Sequence, residues 1–243
     1  MEKVALITGG ARGIGRAVAL DLAEHGWNVA ICYRTSVAEA ADVIESVQAC
    51  GANGLALQAD VSDRDAALRL VRDVESKWGR IDALIHGAGP YHRVSLLEET
   101  ADGWHSMFDN NLHPVFYLSQ EVISGMKERK WGRIIAFTMA NTEQLVAQPQ
   151  LTAHYIAKVG VVVLMRSLAR LVAPFGITAN CIAPGYIDSG SAPKDELDAA
   201  VKRIPAGYLG SVDDTAALVR FLVSDEARYI NGANIQVSGA WGI

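Results

Sequence analysis

The stretch LTAHYIAKVG, residues 151–160, sets His154, Tyr155 and Lys158 within about one helical turn of each other. At roughly 100° per residue, position 154 lies about 40° from position 158 around a helix axis, and position 155 lies about 60° away on the other side. Residues three and four apart on a helix are neighbours, so either ring can reach the lysine. Imidazole is the commonest general acid or base, and a phenol serves in the same role. An ammonium group disfavours a nearby imidazolium, so Lys158 is expected to hold His154 mostly neutral near pH 7. These residue types imply proton exchange with a reacting oxygen, with His154 and Tyr155 as alternative donors.

A second group of residues suits a phosphate. TGGARGIG, residues 8–15, follows an apolar run and opens a helical one. Gly9, Gly13 and Gly15 permit a tight turn, close backbone approach to a pyrophosphate and close helix–strand packing. Arg12 and Ile14 lie in the same turn, and the helix start offers amide N–H groups and a positive dipole end. About twenty residues on, an NAD site places an acid to hold the ribose 2′-hydroxyl. This chain instead reads CYRTS over residues 32–36, with Arg34 flanked by hydroxyls such as Thr35. A guanidinium is built for a 2′-phosphate, and Arg12 can join it. The expected cofactor is therefore NADP(H).

The elements that must position these groups follow from the patterning. Strand-like apolar runs occur at 4–8, 28–33, 54–58, 81–86, 133–138, 177–183 and 233–237. Most are continuously apolar, as strands covered on both faces should be. Helix-period segments lie between them, at 13–25, 36–49, 63–77, 96–129, 152–173 and 212–223. This alternation predicts an α/β fold, one doubly wound parallel sheet of Rossmann type with about seven strands flanked by helices. Residues 1–243 read as a single nucleotide-binding domain, with a long irregular insertion at about 186–208 placed as a short substrate lid.

Composition narrows the partners. The 243 residues carry a formal net charge of −5, half are hydrophobic and a fifth are charged. Both signs are interspersed, so no basic footprint points to nucleic acid. No apolar stretch approaches a bilayer span, and the run VGVVVLM at 159–165 ends at Arg166. The opening MEKVALITGG enters a strand-like run directly, without a leader-like apolar segment. Cys32, Cys50 and Cys181 fit no pairing or metal-ligand spacing. A cytoplasmic protein acting on a small molecule, with no metal, no nucleic acid and no membrane, is the expectation. The long helices at 96–129 and 152–173 add apolar outer faces, taken as Val115, Tyr117 and Leu118 on one and Val161, Val162 and Met165 on the other. Such faces predict packing between subunits.

Taken in order, TGGARGIG, ADVSD (59–63), HGAG (86–89), DNNLHPVFYLSQ (109–120), GRIIAFT (132–138), HYIAK (154–158), NCIAPGYID (180–188) and IPAGYLG (204–210) resemble the short-chain dehydrogenase/reductase family over the whole chain. The similarity is nearest to its 3-oxoacyl-carrier-protein reductase and pteridine reductase branches. That resemblance implies hydride transfer with NADP(H) and a homotetramer. It assigns Asp60 and the Val61 backbone to the adenine, Gly87 and Gly89 to the ribose, and Pro184, Gly185 and Ile187 to the nicotinamide. It also makes Asn111 and Lys158 catalytic, the lysine holding the nicotinamide ribose and lowering the pKa of the acid.

Four places depart from the family pattern. His86 and Gly87 stand where it has two asparagines, and Ser238 where it has an aspartate. Met139 falls on the carbonyl-polarising serine, with Thr138, Asn141 and Thr142 as substitutes. His154 occupies the tyrosine slot. The expected function is NADP(H)-dependent reduction of a carbonyl or similarly activated small molecule, a 3-oxoacyl thioester-like substrate being favoured. The alternative is a cofactor-binding protein with little or no turnover.

Overall fold

In the strand β1 (Val4–Thr8), side chains alternate between two apolar layers, Val4 and Leu6 entering one and Ala5 and Ile7 the other. A strand exposes successive residues to opposite faces, so a strand buried on both sides must be apolar throughout. The strands β2 (Asn28–Tyr33), β4 (Ala83–His86), β5 (Gly132–Phe137) and β6 (Ile177–Pro184) are likewise buried and mostly apolar, with Asn28, His86, Arg133, Thr178 and Asn180 as buried polar exceptions. The edge strands β3 (Gly54–Gln58) and β9 (Asn234–Val237) are only partly buried. The computed structural model describes residues 2–87, 89–190 and 194–243.

The seven strands form one parallel sheet in the order β3-β2-β1-β4-β5-β6-β9. One face carries α1 (Gly13–Glu24), α2 (Val37–Ala49) and α8 (Val212–Val223), which contribute Val18 and Leu22, Val43 and Val47, and Val219 and Leu222 to the core. The other carries α3 (Arg64–Trp78), α5 (His113–Arg129) and α6 (Thr152–Val172), through Leu70 and Val74, Leu118 and Val122, and Val161 and Met165. The chain reverses its winding between β1 and β4, and in such sheets ligands bind beyond the strand C-termini at that switch point.

Local chemistry explains the element ends. Asp63 caps α3 by accepting from the Ala66 amide at 2.7 Å, and Gly79 at φ 73° ends it. Ser211 and Asp214 form a capping box that opens α8.

Three expectations need correction. The segment 96–129 holds two helices, α4 (Ala101–Asn111) and α5, because Pro114 lacks the N–H that would continue the ladder. The insertion at 186–208 is not irregular throughout. It contains α7 (Lys194–Val201), and a short parallel pair joins β7 (Ile187–Asp188) to β8 (Gly210–Ser211). Residues 191–193 of the expected lid lie outside the described residues. Val115, Leu118, Val161, Val162 and Met165 point into the core rather than outward. The outer faces instead present Phe116, Ile123, Leu168 and Leu171 along a groove shared by α5 and α6.

All three cysteines are free, Cys32 and Cys181 buried and Cys50 exposed. Among the described residues no group of His, Cys, Asp or Glu is placed to hold a metal ion. Among the described residues no helix is long and apolar enough to cross a membrane.

Candidate active site

The β1–α1 turn brings the chain into a conformation that only glycine adopts cheaply. Gly9 has φ 68°, and a Cβ on Gly15 would collide with the Gly9 carbonyl. The residue before α1, Arg12, makes no side-chain cap, so the first-turn amides lack that partner. Beside them a groove of about 400 Å³ is lined by Gly9, Arg12, Arg34, Thr35, Asp60, Val61 and Gly87, with Asn110 and Pro90 at one end. Uncapped amides at a helix start, followed by a groove with two guanidinium groups, fit the pyrophosphate and adenosine of a dinucleotide.

Within the groove Arg34 lies 3.8 Å from Asp60 and donates to the Asn110 side chain at 3.5 Å. Arg12 lies 3.7 Å from Glu39 of α2. Burial opposes ionisation of Asp60, but hydrogen bonds from the Ser62 hydroxyl and amide, with Arg34 nearby, leave its carboxyl below the usual range. Gly13 faces a neighbouring groove with Ser189 and Gly190, while Ile14 packs against the core and Gly15 is buried. Pro184 ends β6, Gly185 is bonded to the Val237 carbonyl at 2.9 Å, and Ile187 opens β7. These last three lie outside the lining of the larger groove.

The break between α4 and α5 fixes Asn111, whose side-chain amide donates to Met107 and Pro90 carbonyls, both at 3.0 Å. Its Oδ1 is buried without a partner. Lys158 reaches across from α6 to donate to the Phe137 carbonyl at 2.8 Å. A Cβ on Gly89 would press on both Asn111 and Lys158, so glycine here lets the β4 loop lie against the pair. Burial pushes the Lys158 pKa down to about 8, with Cys181 acting weakly the other way.

His154, one turn from Lys158, is buried and drawn down to about 4, first by desolvation and then by Lys158. The Pro90 carbonyl lies close enough to its ring to favour the cation, without reversing the shift. Its Nδ1 has no partner. Tyr155 is placed differently. Its hydroxyl donates to the Asn141 carbonyl at 2.7 Å and accepts from the Val146 amide at 3.2 Å, fastening α6 to the loop after β5. The Thr138 hydroxyl has the Ile182 carbonyl and the Asn234 side-chain oxygen as acceptors, and Thr142 donates to the Met139 carbonyl, so each hydroxyl proton already has a partner within the chain. Asn141, at φ 64°, keeps a buried Oδ1 without a partner.

Comparison with known proteins gives matches along nearly the whole chain. A family model described as enoyl-(acyl carrier protein) reductase covers residues 9–241. The 3-oxoacyl-[acyl-carrier-protein] reductase of Staphylococcus aureus strain Mu50 is 38% identical over 242 residues, covering 98% of this chain and 98% of that protein. The chain belongs to the short-chain dehydrogenase/reductase family. The 2-dehydro-3-deoxy-D-gluconate 5-dehydrogenase of Pseudoalteromonas atlantica is also 38% identical, covering 98% of this chain and 95% of its own. The crystal structure of gox2181 is 34% identical, with a TM-score of 0.91, covering 99% of this chain and 95% of that one.

As a short-chain dehydrogenase/reductase, the chain is an oxidoreductase served by a nicotinamide cofactor. Two features of residues already marked in the sequence appear only in the fold. Asn110, within the 109–120 stretch, contacts Arg34. His86 is fully enclosed beside Ser119, and burial followed by Lys158 pushes its pKa down to about 3.

Proposed function

We propose that the protein reduces a carbonyl, or a similarly activated small molecule, with NADPH, a 3-oxoacyl thioester-like substrate being the favoured class. The observation that carries the cofactor choice is the groove itself. Arg34 stands beyond β2 where an NAD site carries an acid, and Arg12 lines the same groove. Support for the substrate class comes from the relatives named as 3-oxoacyl reductases and from Met139, where a pteridine reductase would carry an aspartate. Relatives named as reductases and dehydrogenases give no support to the alternative of binding without turnover.

The bound cofactor supplies a hydride at its nicotinamide ring. The chain's own residues do the rest. Lys158 would hold the ribose, with Asn111, set by the break after α4, close to it across Gly89. His154, neutral at physiological pH and with its ring N–H drawn to the Pro90 carbonyl, yields a proton poorly. Met139 presents an apolar surface in place of a serine. Titrating the protein with NADPH and NADH by tryptophan fluorescence tests the reading. NADPH should bind at least about tenfold tighter, since a charge-assisted phosphate contact contributes about 1.5–3 kcal/mol. Equal affinities, or an Arg34→Ala variant with unchanged NADPH affinity, would overturn the NADP(H) assignment.

A further inference from the structure

Around the substrate end of the site, the hydroxyls that could give up a proton are engaged elsewhere. Tyr155 is tied to Asn141 and Val146, Thr138 to Ile182 and Asn234, and Thr142 to Met139. His154 is neutral over the physiological range. Two phenols flank the cleft without such ties. The ring of Tyr186 packs on Trp241, with centroids 4.6 Å apart, beside the nicotinamide-facing segment. The ring of Tyr91 packs on His154 itself, at 5.8 Å and 55°, while the residue stays 63% exposed.

The segment that carries Tyr91 is fastened on both sides. Before it, the Pro90 carbonyl accepts from Asn111. After it, Val94 donates to Gln150 at 3.0 Å and Leu96 to Pro149 at 2.9 Å, next to the start of α6. Tyr91 therefore packs against the helix position at which the acid is missing, its segment held by Asn111 on one side and by the residues just before α6 on the other, and it faces solvent.

We propose that Tyr91 supplies the phenolic proton that position 154 does not, and so acts as the general acid of the reduction. This rests on the carbonyl-reductase reading above. As the substrate's C=O π bond opens, its carbon gains a C–H bond with the electron pair delivered by reduced nicotinamide. Its oxygen forms an O–H bond with the proton of Tyr91, whose own O–H bond breaks to leave a phenolate. Solvent water, which reaches an exposed side chain, returns the proton. The substrate is reduced by two electrons, and the cofactor is oxidised by two.

Steady-state kinetics on a generic ketone separates the roles. Tyr91→Phe should lower kcat about 10²-fold, the lower scale for a positioned general acid, with KM and NADPH affinity little changed. Tyr186→Phe tests the other phenol, and a larger loss of kcat there than in Tyr91→Phe would overturn the assignment. Adding His154→Tyr to Tyr91→Phe should restore turnover by returning a phenol to the helix. A second readout needs no cofactor. In Tyr91→Ala the His154 ring, titrated by NMR, should move up from about 4 toward 6.5 as its cover is lost, while Tyr91→Phe leaves it in place. Parent-like kcat in Tyr91→Phe, or an unmoved His154 titration in Tyr91→Ala, would overturn this inference alone. A parent that binds NADPH but reduces no carbonyl would overturn the function proposed above along with it.

Discussion

At position 154 two causes act in the same direction, and their ranking decides the pH behaviour of the enzyme. Spacing alone reveals Lys158, because residues four apart on a helix must meet. Burial is the larger cause, and it depends on the loop after β4 folding over the ring, which no local pattern records. With the imidazole at about 4, reduction should show no rise as pH falls from 7.5 to 6, against the acceleration near 6.5 that an ordinary histidine would give. The titration that matters lies higher. Lys158 is charged below about 8, so kcat/KM should fall as pH rises through that value, which a profile from about pH 6 to 9.5 would reveal. In the Tyr91→Phe background, His154→Tyr should raise turnover on a generic ketone by about 10²-fold, since a phenol at that position adjoins Lys158 directly.

Among the elements, α6 gains its position from the tie that Tyr155 makes to the loop at 141–146. Tyr155→Phe removes one buried donor and leaves an amide unpaired, so unfolding free energy should drop by about 1–2 kcal/mol while kcat changes little. Urea denaturation and a ketone assay on the same variant check both halves. The sequence displays α6 and the strands clearly, because a sheet covered on both faces needs unbroken apolar runs and a long helix shows its period. It conceals the α4–α5 break, since apolar spacing runs straight through His113 and Pro114, and a proline in a first turn suits a new helix as well as it ends an old one. It also conceals β7 and β8, as strands of two residues have no period to detect. Similarly, the spacing of 154, 155 and 158 leaves both rings within reach of the lysine, and it takes the loop after β5 to show that Tyr155 is occupied.

On the scale of the whole molecule, the groove along α5 and α6 exposes Phe116 and Leu171, with Leu171 70% accessible. We expect that face to pair with a second copy on the way to a homotetramer, and Leu171→Glu should shift the mass seen by light scattering toward smaller species. Acid should weaken the fold. His86 and His154 refuse protons that the unfolded chain binds, since their folded values of about 3 and about 4 lie below the ordinary 6.5. Their contribution is therefore complete above about pH 6.5 and is lost as pH falls, at about 1.4 kcal/mol per pH unit for each site. His86→Asn should flatten that slope by about one proton in urea titrations between about pH 4 and 7. The enclosed thiols carry a different consequence, for oxidative damage and for labelling. Desolvation pushes Cys32, on the wall of the cofactor groove, and Cys181, behind Lys158, up to about 12 each, so neither offers a thiolate to peroxide or maleimide. Cys50 alone is exposed, at the end of α2. A thiol reagent should therefore titrate one group in the native enzyme and three in denaturant, and that single position gives a fluorophore a defined seat with both buried thiols intact.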